Sequence, residues 1–415
     1  MRHVAFIAPR FLENTLNYVR AFASHDEVTL SLISEDPETS IPEPLRPRIA
    51  GHYRVSQCLD AAQLTAAARA ITRGVGPIDR LAGALEQLQL PMAEVRDAVG
   101  IEGMSARVAR NFRDKDRMKD VLRAHGVPVA RSALASSVRD LRKFVEQVGL
   151  PIIVKPQAGL GARNTHRITT TAELIELVNS GAGPSPEAPA QVEEFVRARE
   201  HTCETVTIRG QVVWRSGTRY FPTPLEVLET PWIKYCVLLP REPDLPEFAA
   251  FSAVNEAALA ALFGDEAPTA AGTALTHMEW FLREDGSSLV NEVGARPPGA
   301  QIMPLMGLAH DTNFFVDWTG LIALDRFTPR VRRWAAGAAF FRGQGQGDRV
   351  VSVTGVDEVL AEVGDCLVEL RAPKPGMARS PSYEGEGWAT VRHPTTEGAK
   401  EALLTLIQRI QVHYG

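Results

Sequence analysis

The apolar residues at the start of the chain fall into two rhythms. Residues 4–8 form a short apolar run and residues 28–33 a second strand-like segment, while residues 15–24 between them carry apolar positions at helical spacing. Strand, helix, strand in that order predicts a doubly wound α/β layer. Residues 36–47 are rich in Pro and Glu and predict a loop; helical spacing then dominates from about 61 to 108. A second unit opens near Arg113. The stretch Asp114-Lys115-Asp116-Arg117-Met118-Lys119 leads into Val121 and Leu122 as an amphipathic helix, with Gly126 and Pro128 as its stop signals. Residues 149–156 follow, an unbroken apolar run ending in Lys155-Pro156, as in a strand buried on both faces. A Gly/Pro/Ser-rich loop at 180–189 precedes a strand at 191–196. From about 332 the pattern becomes short strands with Gly turns, closing on a helix from 396 to about 412.

The segment 277–293 carries the most specific of these patterns. Two apolar stretches flank Asp285-Gly286, a strong two-residue hairpin signal, because both turn positions need positive φ. With that pair at the tip, Glu284 faces Ser287, and counting back sets Glu279 opposite Glu292. Cβ atoms so paired lie about 5 Å apart on one face. Two carboxylates this close repel unless a cation sits between them, and a hard divalent ion such as Mg²⁺ suits oxygen ligands. The bland alternative is a solvated sheet face, with an odd-length loop that breaks the register. By strand alternation Asn291 should point to the other face, away from Glu292.

At 415 residues the chain exceeds one core; at roughly 100–200 residues each, two to four domains are expected. A net charge of −5 argues against general nucleic-acid binding. The four cysteines, Cys58, Cys203, Cys236 and Cys366, are widely spread, which suits a reducing compartment and argues against a structural zinc site. No apolar run approaches ~18 residues, and residues 1–9 begin like a strand rather than a secretion signal. A cytoplasmic protein is the expectation.

Candidate chemistry is spread along the middle of the chain. Lys155 ends a buried strand and is followed by a loop with Gly159 and Gly161, where backbone N–H groups can approach phosphate oxygens; an ordinary turn with a snorkelling lysine is the alternative. Lys115 opens a helix, where the dipole favours acids, so it is either surface decoration or kept for an anion. The strand with Glu193, Glu194, Phe195 and Val196, and Glu200 beyond, could offer an apolar slot with backbone donors and a carboxylate, as adenine and ribose need; taken by itself it reads first as a solvated edge strand. Arg296 stands in Gly294-Ala295-Arg296-Pro297-Pro298-Gly299, where two prolines stiffen the turn that holds it. His277 shares a strand face with Glu279, as a partner to it or as a structural histidine. Trp214, Trp232, Trp280 and Trp318 read as core. Arg215 and Arg219 are either carboxylate-recognising or surface charges. No Gly-x-Gly-x-x-Gly follows the first strand, which argues against a dinucleotide site there.

The order of these signals resembles the ATP-grasp superfamily, and within it the carboxylate–amine ligases that join amino acids. The resemblance runs from about 113 to 317 and rests on three segments: Arg113-Asp114-Lys115 with Met118 and Gly126-Val127-Pro128; Gly149 through Pro156; and Asn291-Glu292-Val293 with Arg296-Pro297-Pro298-Gly299. It implies an α/β chain with an ATP-grasp fold of two α+β subdomains gripping ATP. A Rossmann-like domain precedes them and a small β-rich lid domain follows, with divisions at 1–112, 113–190, 191–330 and 331–415. In such a fold Lys115 and Lys155 hold the α- and β-phosphates, and the loop with Gly159 and Gly161 covers them. Glu193, Glu194, Phe195 and Val196 form the adenine hinge and Glu200 takes the ribose. Glu279 and Glu292 ligate one or two Mg²⁺ ions, or Mn²⁺ in their place, and Arg296 steadies the transferred phosphate. The implied reaction is amide formation from a small-molecule carboxylate and amine through an acyl phosphate, releasing ADP and phosphate. A homodimer through the N-terminal domain is implied too, with neither nucleic acid nor membrane as partner. One departure stands out: the family has Glu-x-Asn at the second metal position, and here Gly294 replaces that asparagine. The alternatives are a carboxylase working through carboxyphosphate and a nucleotide-binding regulator without turnover.

Overall fold

The computed structural model describes residues 1–157, 164–230, 233–242 and 244–415. The expected strand–helix–strand opening is present. Strands Ile49–Arg54, Val28–Ser34, Arg2–Ile7 and Arg80–Gly83 form a parallel sheet in that order. Alternation along the central strand explains its two-sided burial. Val4 and Phe6 pack toward Val19 and Phe22 of the helix Glu13–Ala23, while Ala5 and Ile7 pack toward Leu64 and Val95 of the helices Ala61–Gly74 and Gln89–Val99.

A small antiparallel sheet follows, in the order Ser132–Ala135, Ala190–Glu194, Ile152–Pro156, His166–Ile168. The apolar run ending at Lys155 is therefore an interior strand. Ile152 and Val154 meet the helices Val138–Val148 and Thr171–Asn179 on one face. Ile153 and Lys155 look the other way, into a cavity.

The third layer is an eight-stranded antiparallel sheet, ordered Ser288–Gly294, Ala274–Leu282, Arg199–Ile208, Gln211–Phe221, Tyr235–Leu239, Ala335–Phe341, Gly387–His393, Leu367–Arg371. The strands after residue 334 thus continue the sheet that starts with the Glu279–Glu292 hairpin. The helix Pro246–Phe263 covers one face, where Phe251 stacks on the buried Trp280 at 4.0 Å between ring centres. The helices Ile302–His310 and Phe314–Leu324 pack on the other and join it to the N-terminal layer. The last helix, Thr396–Arg409, ends earlier than its sequence pattern suggests, because residues from 411 extend to pair with Val350–Thr354. Lys234 Nζ donates to the carbonyls of Ile407 and Ile410, closing that helix against the sheet. Among the described residues no helix is long and apolar enough to cross a membrane.

One core residue gives the fold an acid-sensitive point. His201 is 4% exposed. It sits 5.7 Å from the Phe248 ring and 5.0 Å from the Trp280 ring, and neither ring nitrogen has a hydrogen-bond partner among the described residues. Burial, with Arg219 and Arg199 adding to it, holds the imidazole at about 4 instead of 6.5. The unfolded chain therefore takes up a proton that the folded chain refuses. This stability is complete above the unfolded pKa and drains away as pH falls toward the folded one. His201→Phe keeps the aromatic packing and removes the titration. At about pH 5 it should be more stable than the parent by about 2 kcal/mol in urea unfolding, with little gain at neutral pH. Identical pH dependence in the two proteins would contradict the assignment.

Candidate active site

The small sheet and the large sheet face each other across a cavity of about 1180 Å³. The hairpin that supplies its acidic floor differs in detail from the sequence expectation. Arg283 N–H donates to the Ser287 carbonyl at 2.9 Å and Leu282 pairs with Ser288, so the loop has three residues, Glu284, Asp285 and Gly286. That is the odd-length loop expected to break the register. A β-bulge restores it: Trp280 pairs with Val290, but Glu279 pairs with Glu292, leaving Asn291 as the extra residue. The predicted carboxylate pairing is present, reached by a different path. The expectation for Asn291 is corrected by the same bulge, which defeats simple alternation. Its side chain lines the cavity, with Nδ2 3.5 Å from Glu279 Oε2.

Opposite lie the lysines. Asp114 caps the helix Lys115–Ala124, its carboxylate accepting from the Asp116 and Arg117 N–H groups at 3.1 Å each. Gln157 Nε2 donates to the same carboxylate at 2.9 Å, which ties the end of the Lys155 strand to the start of the Lys115 helix. Lys115, 6% exposed, donates to Glu292 Oε1. Lys155 Nζ lies 3.0 Å from Glu193 Oε1, and Lys119 Nζ lies 2.9 Å from the same oxygen. Lys119 is a site residue that the sequence reading misses, although it stands four residues after Lys115 on the same helix face, a spacing that could flag it.

Glu193 lines the cavity, its carboxylate buried between Lys119 and Lys155. The Glu194 carboxylate is also engaged, accepting from Arg131 N–H at 2.9 Å and Arg131 Nε at 2.8 Å. Phe195 lies under the Arg167 guanidinium at 5.3 Å, and Phe195 and Val196 line the cavity with Glu200. Gly159 and Gly161 lie outside the described residues, as does Trp232. Arg296 lines the cavity, its Nε donating to Glu86 Oε2 and its Nη1 to the Pro297 carbonyl at 2.9 Å. Glu86 comes from the N-terminal layer and is 6% exposed. Nothing local in the sequence marks it, since its partner lies 210 residues away. Tyr383 and Glu384, from the loop before the strand Gly387–His393, also reach this end, where Glu384 accepts from the Ala300 N–H at 3.2 Å. Arg215 and Arg219 do not join them; they pair with Glu256 and Glu247 of the helix on the far face of the sheet. Trp214, Trp280 and Trp318 are packed in the core, as expected.

Charge sorts the carboxylates. Burial pushes the Glu292 carboxyl up, but Lys115, Lys155 and Arg296 together outweigh it and hold it at about 2. Burial and the neighbouring Glu279 push Glu200 well above the usual range. Lys119 is lowered to about 8 by burial, against the pull of Glu193. Behind Glu279, His277 Nδ1 bonds Glu204 Oε1 at 2.8 Å, and His277 Nε2 lies 3.8 Å from Glu279 Oε1. Burial would lower this imidazole, but the Glu204 and Glu279 carboxylates raise it to about 9. Glu204 is itself fully buried and accepts from Thr202 and Thr218 hydroxyls at 2.8 and 3.0 Å.

The donor set fits a hard divalent cation. Two oxygen-bearing side chains meet across adjacent strands, and the Lys115 ammonium already occupies a cation position on one of them. Among the described residues no group of three or more His, Cys, Asp and Glu side chains could hold a metal alone. An ion here would therefore draw further ligands from phosphate oxygens, water or uncharged side chains.

Residues 114–207 match the family described as carbamoyl-phosphate synthase L chain, ATP binding domain. Over 202 residues, 48% of each chain, the protein is 28% identical to the L-arginine-specific L-amino acid ligase of Bacillus subtilis. Over 231 residues, 52% of this chain and 47% of the other, it is 26% identical to the alanine–anticapsin ligase of Bacillus subtilis strain 168. The chain spans about half the length of these curated relatives. In fold it matches the crystal structure of the L-amino acid ligase from Bacillus licheniformis with a TM-score of 0.77, at 17% identity, over 100% of this chain and 99% of that one. The likeness over the whole chain shows an ATP-grasp fold, the family match covers the capped helix, the small sheet and the strand Arg199–Ile208 of the large one, and in sequence the chain is similar to amino-acid ligases.

Proposed function

We propose that the protein joins a carboxylate to an amine at the expense of ATP, through an acyl phosphate, with an amino acid as one substrate and ADP and phosphate as products. One observation carries the reading. A single cavity brings Lys115, Lys155 and Arg296 against the cross-strand pair Glu279 and Glu292. Cations on one wall and oxygen ligands on the other are what a triphosphate with a divalent ion requires. Lys115 and Lys155 neutralise the phosphates, and Arg296, oriented by Glu86, steadies the group in transfer. The backbone of Glu194, Phe195 and Val196 borders the adenine, with Glu200 on the ribose. Glu279 and Glu292 hold Mg²⁺, which neutralises charge on the phosphates when bound.

A carboxylate is a poor acylating agent. Its attack on the γ-phosphorus breaks the bond to the β-bridging oxygen, and ADP leaves. The amine then attacks the acyl carbon, and phosphate departs with the bonding pair. The far end of the cavity, where Glu86, Tyr383 and Glu384 converge from opposite ends of the chain, is the proposed chamber for the carboxylate and amine. The names of the two Bacillus subtilis relatives support amino acids as substrates.

Pairs of amino acids should release ADP and phosphate one to one, in a screen with ATP and Mg²⁺. AMP and pyrophosphate instead would overturn the acyl-phosphate route. The match to the carbamoyl-phosphate synthase family supports a second reading, carboxylation through carboxyphosphate, for which ADP release would require bicarbonate and no amino acid. ATP binding without ADP release under either regime would favour a regulator.

A further inference from the structure

The departure at position 294 has a physical cause in the neighbouring ion pair. A Cβ on Gly294 would stand 3.3 Å from Glu86 Oε2 and 3.5 Å from Arg296 Cγ. An asparagine there would press on the pair that orients Arg296. Gly294 itself carries no side-chain oxygen, so a neutral oxygen for a cation at Glu279 and Glu292 has to come from elsewhere.

The bulge offers one. In a regular strand the residue before Glu292 would face the opposite side of the sheet. Here Asn291 is the inserted residue between Val290 and Glu292, and a bulge of this kind brings two successive side chains to one side. Val290 stays in the core at 0% exposure, while Asn291 and Glu292 both line the cavity. The Asn291 amide lies 3.5 Å from Glu279 Oε2, at the outer limit of a hydrogen bond, so this contact holds the side chain in place only weakly. The other end of the same amide is a carbonyl oxygen of equal reach, a donor type that Mg²⁺ and Mn²⁺ accept.

We propose that Asn291 is a metal ligand, supplying from the residue before Glu292 the neutral oxygen that Gly294 lacks. With Glu279 and Glu292 it completes a three-residue oxygen set. The bulge is then the device that exchanges the lost position for a new one and frees the space beyond Glu292 for the Glu86–Arg296 pair. This inference rests on the reading of Glu279 and Glu292 as the metal-holding pair.

The test is direct metal binding to the full chain in the presence of ADP, read from the free Mn²⁺ signal in electron paramagnetic resonance. Four proteins are compared: the parent, Asn291→Ala, Asn291→Asp and Glu292→Gln. Asn291→Ala should weaken Mn²⁺ binding by about tenfold or more. Asn291→Asp retains an oxygen at the same place and should bind Mn²⁺ at least as tightly as the parent. Glu292→Gln should lose the ion. If Glu292→Gln loses Mn²⁺ and Asn291→Ala does not, Asn291 is no ligand and the carboxylate pair stands. Asn291 is equally ruled out if the aspartate variant is as weak as the alanine one, since a ligand role predicts its rescue. If Glu292→Gln binds like the parent, the metal-pair reading itself is wrong. Melting temperatures in EDTA separate ligand loss from misfolding, and the aspartate variant keeps the proposal open to refutation should the alanine variant fold poorly.

Discussion

Glu292→Gln should abolish ADP release, with kcat down by about a thousandfold or more, while the protein still folds. The substitution preserves shape and one carbonyl oxygen and removes a charge. That charge is the hub of the cavity. It accepts from Lys115, faces Glu279 across the strands, and is held ionised by Lys115, Lys155 and Arg296 despite its burial. An amide at this place cannot neutralise a divalent ion, and it leaves Lys115 with a weaker partner. Circular dichroism and a cooperative melt would establish folding, and a coupled ADP assay would measure turnover. Retained activity in a folded variant would remove the metal assignment for this residue.

Glu193→Leu should destabilise the fold by about 3–5 kcal/mol, the cost expected when one member of a buried ionic group is deleted. Glu193 is 4% exposed and its one oxygen serves both Lys119, at 1% exposure, and Lys155, at 9%. Without it two buried ammonium groups face each other with no anion between them. The companion change Lys119→Met should return much of the loss, because it takes away one of the stranded charges and keeps the stem. Urea unfolding of both variants measures this. A loss under 1 kcal/mol for the single variant would mean that water or rearrangement solvates the lysines, and the triad would not be a structural unit. Excess ATP should narrow the deficit, since its phosphates bring negative charge to Lys155.

The triad also shows where sequence reasoning stops. The strand holding Glu193 is legible from residues 191–196, but not which way its carboxylate turns. It meets Lys119, a second lysine one helical turn beyond Lys115, which nothing in the strand itself announces. At the hairpin the right pair is reached through a wrong turn. Asp285-Gly286 signals the reversal correctly, yet a three-residue loop and a bulge offset each other, and neither has a sequence mark strong enough to separate it from a plain two-residue turn. Alternation then fails at Asn291, the residue the bulge inserts. Arg215 and Arg219 share one strand face, and their sequence leaves open which side of the sheet that face meets; the helix Pro246–Phe263 decides it. Glu86, Tyr383 and Glu384 are invisible in the sequence because they enter the site only through contacts between distant parts of the chain.

The unbroken run of strands from Ser288–Gly294 to Leu367–Arg371 has a mechanical consequence. Tyr383 and Glu384 hang from the same plank as Glu279, braced midway along it by Lys234 against the last helix. The anvil side of the cavity is therefore one piece. The four-stranded lobe that carries Lys155 touches that plank near its outer hairpin, where Val290 N–H donates to the Pro128 carbonyl at 2.9 Å beside the bridge from Val129 to Val290. A jaw pivoting there would carry Lys155 toward or away from a stationary bed.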